Sequence, residues 1–241
     1  MLTALGSRKR EIEVVYQDRS LLVLNKPAGW ATLRSATSKE ITLQDWLDAN
    51  FGLKTVDRSG IAHRLDRDTW GLILVAKNDQ VLSQLQEQFR KREVRKVYWA
   101  LARGCLSGSG KIKAPIKKVR AGEWRFRVAP GGRQSITSYR QIGIFKINGQ
   151  DYTLLRVYPK TGRTHQIRVH LKYLGHPLFG DSFYGGKREK GRPMFLAAKE
   201  LCLSHPMNGK KIRFKIKLPE RLSKIISQND SKAEKTVGRE K

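Results

Sequence analysis

The sequence predicts a single α+β domain built on a large mixed, mostly antiparallel β-sheet that is flanked by helices and loops. Two observations lead to this prediction. Short apolar segments with strand-like patterns outnumber the helical ones, and the two kinds do not alternate regularly, as they do in a parallel α/β fold. In addition, 39% of the 241 residues are hydrophobic, which is enough for a sizeable core in one domain of this length.

The predicted strands are apolar or alternating runs that lie between turn residues. They cover residues 12–16, 21–25, 61–65, 72–77, 96–103, 135–145, 152–158, 195–203 and 211–218. Asn148-Gly149 is a turn sequence favoured in tight hairpins, so the strands on either side of it should pair. Residues 107–134 are rich in Gly, Lys and Arg, and we expect them to form an exposed basic loop or hairpin arm.

Helices are predicted where apolar residues recur at helical spacing next to capping residues. The first covers Leu43–Phe51, with Thr42 as its N-cap and Gly52 after its end. The others are expected at 81–89 after an Asn78 cap, at 164–174 and at 219–227. The folded domain should therefore span residues 11–227, between a flexible basic segment at 1–10 and a disordered tail at 228–241.

The charge of the chain points to a polyanionic partner. The formal net charge is +28, and the last 21 residues carry only +3 of it, so the excess lies on the body of the protein. A body this basic repels itself unless a counter-charged partner is near, and RNA is the leading candidate. DNA is a weaker candidate, because the sequence contains no helix-turn-helix or zinc-finger pattern.

Several other classes of protein are excluded by the composition. The longest apolar run, at 72–76, is far too short to span a bilayer, and the basic start of the chain does not resemble a signal peptide. The two cysteines, Cys105 and Cys202, cannot form a disulfide framework or a cysteine zinc site. We therefore expect a cytoplasmic protein that does not bind membranes.

The segment 63–71 is the first that could carry chemistry. It places the carboxylate of Asp66 at the end of a predicted buried strand, between Arg64 and Arg67. Nearby cations favour the ionised form of a carboxylate, which suits a nucleophile or an electrostatic stabiliser. The same spacing fits a turn with local ion pairs equally well.

The segment 96–101 is the second that could carry chemistry. Alternation along a strand puts Lys96 and Tyr98 on one face. A tyrosine among basic residues can stack on a nucleobase, although the spacing alone favours a tyrosine of the core.

The segment 162–170 is the third that could carry chemistry. On a helix, Thr164, Arg168 and Leu171 share a face, so Arg168 can reach a carboxylate. His165 and His170 lack the i, i+4 spacing of a helical metal site. The sequence also contains no P-loop and no dinucleotide fingerprint, so neither a metal nor a cofactor is expected.

Five motifs together resemble the RluA-type family of RNA pseudouridine synthases. They are the segments 25–29, 63–66 with Thr69 and Gly71, 96–100 with Gly104, 162–170 and 174–181, in the family's order within residues 12–218. The resemblance implies the catalytic fold of these synthases and an isomerisation of uridine in RNA, without metal or cofactor. It also implies ribosomal RNA of the large subunit as the substrate, with transfer RNA as the alternative. A monomer is the default expectation.

The resemblance assigns roles to individual residues. Asp66 matches the family's catalytic aspartate, Tyr98 its active-site tyrosine and Arg168 the arginine that pairs with the aspartate. Arg64 matches an arginine that fills the gap left by the extruded base, and Leu196 an apolar residue of the pocket. The remaining candidates for substrate binding are Arg163, His165 and Gln166. The aspartate has two chemical routes, attack on the sugar or removal of a sugar proton, and the residues leave both open.

Two positions depart from the family pattern. Trp70 stands where a small residue is usual, and Ala197 replaces a frequent histidine. Neither is one of the three catalytic candidates, so we expect activity to survive. RNA docking should rely on the basic arm at 111–127 and on the basic end of the second helix at 90–96. The competing hypothesis is an RNA-binding or ribosome-assembly factor that keeps the fold without the activity.

Overall fold

The computed structural model describes residues 12–35, 40–120, 123, 125–185 and 194–218. The strands are β1 (Glu13–Gln17), β2 (Leu21–Lys26), β3 (Trp70–Ala76), β4 (Arg95–Arg103), β5 (Ser109–Lys113), β6 (Ile116–Lys118), β7 (Phe126–Val128), β8 (Ile136–Ile147), β9 (Gln150–Pro159), β10 (Leu196–Ser204) and β11 (Lys211–Lys215). The helices are α1 (Leu43–Phe51), α2 (Asp79–Arg90) and α3 (Gln166–Tyr173), with short 3₁₀ helices at Leu53–Thr55 and Asp57–Gly60.

Nine of these strands form one mixed sheet in the order β1-β2-β3-β10-β4-β9-β8-β5, with β11 paired to β10. All of its pairings are antiparallel except β10 with β3. β10 joins the two halves of the sheet, although it comes from late in the chain. The predicted α+β class with a large, mostly antiparallel mixed sheet is confirmed.

The join between β3 and β10 depends on a glycine. Gly71 has a φ of +118° and is the Cα partner of Ala198. A Cβ at Gly71 would lie only 2.4 Å from the Ala198 carbonyl oxygen, so a side chain at this position would push the strands apart. This close approach keeps the start of β3 next to β10. Asp66, five residues before Gly71, is thereby held near β10.

The described core consists of separate clusters along the sheet, and two of them flank the cavity-bearing strands. The larger part packs β1–β3 against α1 and α2. A second part lies under α3, where Ile167 and Leu171 cover Leu155 and Val157 of β9. α2 therefore buries one amphipathic face, whereas α3 is buried at six consecutive residues, 166–171.

Several local predictions are confirmed. α1 has the predicted bounds, Thr42 caps it through a hydrogen bond from Asp45 N, and Gly52 ends it in the left-handed conformation. Asn78 caps α2. Asn148 and Gly149 both have positive φ in the turn that joins β8 to β9.

Three local predictions are wrong. Residues 61–65 are not a strand, because only Ile61 forms a bridge to β3 before the chain turns away. Residues 109–113 do not belong to an exposed arm, since they pair with β8 at the sheet edge and bury Ile112. The third helix begins two residues late, because His165 is in the left-handed conformation with a φ of 54°.

Some of the predicted boundaries cannot be compared with the structure. The segment 1–10, the last helix at 219–227 and the tail at 228–241 lie outside the described residues, as do the domain limits at 11 and 227. These remain predictions.

Candidate active site

An open cavity of about 640 Å³ lies on the face of the sheet that carries Tyr98 and Leu196. Three parts of the chain line it: the segment 62–66 with Thr69, the end of α2 with the start of β4, and the segment 159–168 that leads into α3. Many of the lining side chains are cationic: Arg64, Arg90, Arg92, Lys96, Lys160, Arg163 and Arg168. A negatively charged ligand would therefore be attracted into this cavity.

The loop that carries Asp66 is fixed by buried hydrogen bonds. Thr32 Oγ1 donates to Leu65 O at 2.7 Å, and Thr69 N donates to Asp66 O at 3.0 Å. The ammonium of Lys26, which is fully buried, donates to the carbonyls of Pro27, Trp30 and Arg67 at 2.9, 2.8 and 3.1 Å. The Asp66 side chain keeps 17% of its surface exposed, toward the cavity.

Arg168 joins two carboxylates. Its Nη1 donates to Asp66 Oδ2 at 3.2 Å, so the predicted pairing is present. Its Nε and Nη2 donate to the two oxygens of Asp181 at 2.8 and 2.9 Å, which is a bidentate geometry. Burial opposes the charge on Arg168, but its hydrogen bonds to Asp181 and then its interaction with Asp66 raise its pKa overall. The guanidinium therefore remains a fixed cation beside Asp66.

His165 is the second neighbour of the Asp66 carboxylate. Its Nε2 lies 3.9 Å from Asp66 Oδ2, and its Nδ1 is 2.7 Å from the Tyr184 hydroxyl. Burial lowers the pKa of His165, against the opposing effect of Asp66, so the neutral ring is favoured. The left-handed backbone at His165 directs the ring toward these two partners, and this is why the helix begins only at Gln166.

Tyr98 and Leu196 form the apolar floor of the cavity. They lie on the adjacent strands β4 and β10, and Leu196 is 4% exposed. Burial and the charge of Asp66 raise the pKa of Tyr98, so its hydroxyl stays protonated at neutral pH. A flat neutral ring next to a carboxylate is suited to stack on an uncharged nucleobase.

The other predicted substrate-binding residues also lie at the cavity. Arg64, which is exposed, and Arg163 are part of its wall. Gln166 is 4% exposed, and its amide is already bonded within the protein. Its Oε1 accepts from Arg163 N and Thr161 Oγ1, while its Nε2 donates to Ile136 O and Thr137 Oγ1. Gln166 thus holds the loop before α3, and its predicted contact with substrate remains a prediction.

The roles of Asp181 and Tyr184 do not follow from the sequence alone. Asp181 lies in the motif 174–181, which indicates no function for its carboxylate. Its Oδ1 also accepts from the backbone N–H groups of Phe183 and Tyr184, so one buried carboxylate orders this turn and holds Arg168. The available signal was a motif that contains a carboxylate without an assigned partner.

The two departures from the family pattern lie side by side. Trp70 on β3 and Ala197 on β10 are Cα partners, and Trp99 on β4 is the partner of Ala197 on its other side. These residues face away from the cavity, which Tyr98 and Leu196 line. Ala197 therefore lies between two tryptophans, away from the contacts of Asp66.

The part of the chain that the structure describes lacks two further features. No helix there is long and apolar enough to cross a membrane. No group of three or more His, Cys, Asp or Glu side chains is arranged to hold a metal ion there.

Comparisons with known proteins agree with this geometry. Residues 20–173 match the family model for RNA pseudouridylate synthases. An uncharacterised RNA pseudouridine synthase of Chloroflexus aurantiacus is 40% identical over 214 residues, which cover 87% of this chain and 66% of that protein. Ribosomal large subunit pseudouridine synthase D of Pseudomonas aeruginosa is 35% identical over 244 residues, which cover 95% of this chain and 75% of that protein.

A solved structure of a pseudouridylate synthase domain also matches this chain. The human RNA pseudouridylate synthase domain containing 1 superposes with a TM-score of 0.73 at 27% identity, over 89% of this chain and 86% of that chain. The chain therefore belongs to the RluA-type family of RNA pseudouridine synthases, which are isomerases that act on uridine in RNA.

Proposed function

We propose that this chain converts uridine to pseudouridine in large-subunit ribosomal RNA and that Asp66 is the essential carboxylate. The observation that carries the proposal is the convergence of Asp66, Arg168 and Tyr98 in one basic cavity. Arg168 lies 3.2 Å from Asp66, and the charge of Asp66 acts on the partly buried Tyr98. These residues come from three separate parts of the chain.

The reaction needs one carboxylate, a place for the base and a fixed orientation. The bond between C1′ of the sugar and N1 of uracil breaks, and a bond between C1′ and C5 forms. The proton on C5 is lost and N1 gains a proton, so the reaction is balanced without an oxidant or reductant. Asp66 acts at the sugar, Arg168 orients Asp66, and Tyr98 stacks on the flipped uracil, which offsets part of the cost of unstacking.

The remaining candidates bind the RNA around this centre. Arg64 is exposed at the cavity wall, and we expect its side chain to enter the space that the flipped base leaves. Leu196 packs beside the base, and Arg163 and His165 contact the flipped nucleotide at the rim. The positive charge around the cavity supplies affinity through phosphate contacts, which do not depend on sequence.

The choice of RNA rests on the relatives. Several of them, including the protein of Pseudomonas aeruginosa, are named ribosomal large subunit pseudouridine synthase D. We extend that substrate class to this chain, with transfer RNA as the alternative substrate. A monomer in the cytoplasm, where ribosomes are assembled, fits this function.

The test replaces Asp66 by Asn, which removes the charge and keeps the shape. Tritium at C5 of uridine is released as pseudouridine forms, so release from labelled ribosomal RNA measures the reaction. We expect no release by Asp66→Asn, together with undiminished RNA affinity, because the lost charge repelled phosphates. Asp68→Asn is the matched control, since it removes an exposed carboxylate two residues away and should retain activity.

The outcomes separate the hypotheses. If Asp66→Asn releases tritium as fast as the unchanged chain, the assignment of Asp66 is wrong. If the unchanged chain binds RNA but releases no tritium from any RNA, it is a binding factor. Chemical mapping of pseudouridines in cells with and without this protein then distinguishes ribosomal from transfer RNA.

A further inference from the structure

Two lysines lie near the active site, Lys26 fully buried and Lys96 partly buried, and their surroundings differ. Lys26 has three carbonyl acceptors, all between 2.8 and 3.1 Å from Nζ. Lys96 lies on β4, two residues before Tyr98, and lines the cavity. Among the residues that the structure describes, Lys96 Nζ has no hydrogen-bond acceptor and no carboxylate within ion-pair distance. The first lysine is satisfied by the fold, whereas the second is not.

The groups around Lys96 do not compensate its charge either. Its neighbours along the cavity wall include Arg92 and Arg163, which are also cations. The charge of Lys96 helps to lower the pKa of His63, so the two side chains are close. Asp66 raises the pKa of Tyr98, but no carboxylate offsets the effect of burial on Lys96, whose own pKa is lowered. A partly buried ammonium that lies among other cations and has no counter-charge favours a ligand that brings the opposite charge.

Space for a ligand exists next to the ammonium. The nearest glycine is Gly162, and a Cβ at that position would be 3.8 Å from Lys96 Nζ. Gly162 is exposed, so the ammonium is reached from the open side of the cavity over a backbone without a side chain. A negatively charged group can therefore approach Lys96 without displacing protein atoms.

We propose that Lys96 binds a backbone phosphate of the RNA, the one that adjoins the uridine stacked on Tyr98. Lys96 and Tyr98 are two residues apart on one face of β4, which separates them by roughly 7 Å along the strand. That distance is on the scale of one nucleotide, so base and phosphate can occupy the two positions together. A uracil carbonyl is a weaker candidate, because it carries no charge to compensate the ammonium. The inference rests on the proposed function, since it takes RNA as the ligand.

The salt dependence of RNA binding tests this proposal. Each phosphate that a protein neutralises contributes about one unit to the slope of log affinity against log salt concentration. We expect Lys96→Met to lower that slope by about one for transcribed large-subunit ribosomal RNA. Its affinity at low salt should fall by about 10- to 100-fold, the range for a lost charge-assisted hydrogen bond. Lys96→Arg should keep the slope.

The control is Lys54→Met, which makes the same change at an exposed lysine on the short helix Leu53–Thr55. It should leave both slope and affinity unchanged. Thermal unfolding provides a second readout. Removing an unpaired, partly buried charge should leave the melting temperature of Lys96→Met unchanged or raise it, whereas a structural lysine such as Lys26 should give a large fall when replaced by Met.

Two results would overturn the phosphate site. One is an unchanged salt slope in Lys96→Met, and a fall in kcat alongside it would place Lys96 at the base. The other is a lower melting temperature with unchanged affinity, which would make the role structural. Failure of the proposed function is recognised separately, because the unchanged chain would then release no tritium from RNA.

Discussion

At the scale of single residues, Asp66 depends on a side chain that it does not touch. Asp181 is 1% exposed and holds Arg168 through two bonds, which leaves the third guanidinium nitrogen directed at Asp66. Asp181 is therefore a positioning residue for Arg168. The conformation of Arg168 is set by the turn at 181–184 rather than by Asp66 itself.

Replacing Asp181 by Asn should lower kcat by about 100-fold with little change in KM, because a misplacement of about 1 Å costs that much in a fixed site. It should also destabilise the fold by about 3 kcal/mol, since buried Arg168 loses its main counter-charge. Steady-state kinetics on ribosomal RNA and urea unfolding measure the two effects. Asp68→Asn is again the control, and a rise in KM without a fall in kcat would contradict the positioning role.

At the scale of elements, the segment before Asp66 shows why a strand prediction failed. Ala62 N donates to Leu74 O, which continues the pairing with β3 by one bond. His63 then turns its ring inward, and its Nε2 accepts from Leu74 N at 3.1 Å. A side chain thus takes the place of a backbone carbonyl, and the chain is released from the sheet. Only Ile61 and Leu65 of this segment are buried, and two buried apolar ends are compatible with a strand as well as with this irregular segment.

This bond should make the stability of the protein sensitive to acid. Burial and the charge of Lys96 lower the pKa of His63 to about 3, from an ordinary value of 6.5. Between these values the unfolded chain binds a proton that the folded chain does not, so stability falls as pH drops below about 6.5. From pH 7.5 to pH 5 the loss due to His63 is about 2 kcal/mol.

The variant His63→Asn has no titrating group at this position. Urea unfolding at pH 7.5 and pH 5 should therefore show a loss that is about 2 kcal/mol larger in the unchanged chain than in the variant. Other groups titrate equally in both chains and cancel in this difference. Equal losses would show that the ring does not titrate as described.

Elements with local signals could be predicted from the sequence, and those set by tertiary contacts could not. The bounds of α1 follow from Thr42 and Gly52, which act within one turn of the helix. The start of α3 depends instead on His165, whose left-handed backbone is held by contacts with Tyr184 and Asp66 from distant parts of the chain. No pattern within 162–170 contains that information.

At the scale of the whole molecule, the candidate site also depends on tertiary contacts that local sequence patterns do not predict. Asp66 and Arg168 are 102 positions apart and meet because β10 lies between β3 and β4. Resemblance to a family could identify the three catalytic candidates, but their partners Asp181 and Tyr184 became visible only with the fold. The net charge of +28 predicted a polyanion, and the cationic lining of the cavity gives that charge a location.

Part of that charge lies on the small sheet of β6 and β7. Lys117 and Arg127 are directly opposite each other there, and both are exposed. Like charges in this position destabilise a pair of strands. The hairpin is anchored nevertheless, because Ile116 packs with Val169 of α3 and with Tyr184. Stability alone does not account for the facing cations, whereas RNA phosphates would neutralise both.

Replacing Lys117 by Glu should therefore separate stability from RNA binding. Glu opposite Arg127 forms an attractive pair, so the free energy of unfolding should rise by about 0.2–1 kcal/mol. The affinity for ribosomal RNA should fall by about tenfold at moderate salt, because a phosphate contact is lost and a repulsion is added. Filter binding and urea unfolding measure the two quantities, with Lys54→Glu as a control of equal charge change. If both variants weaken binding equally, the loss reflects net charge, and the hairpin has no specific part in docking.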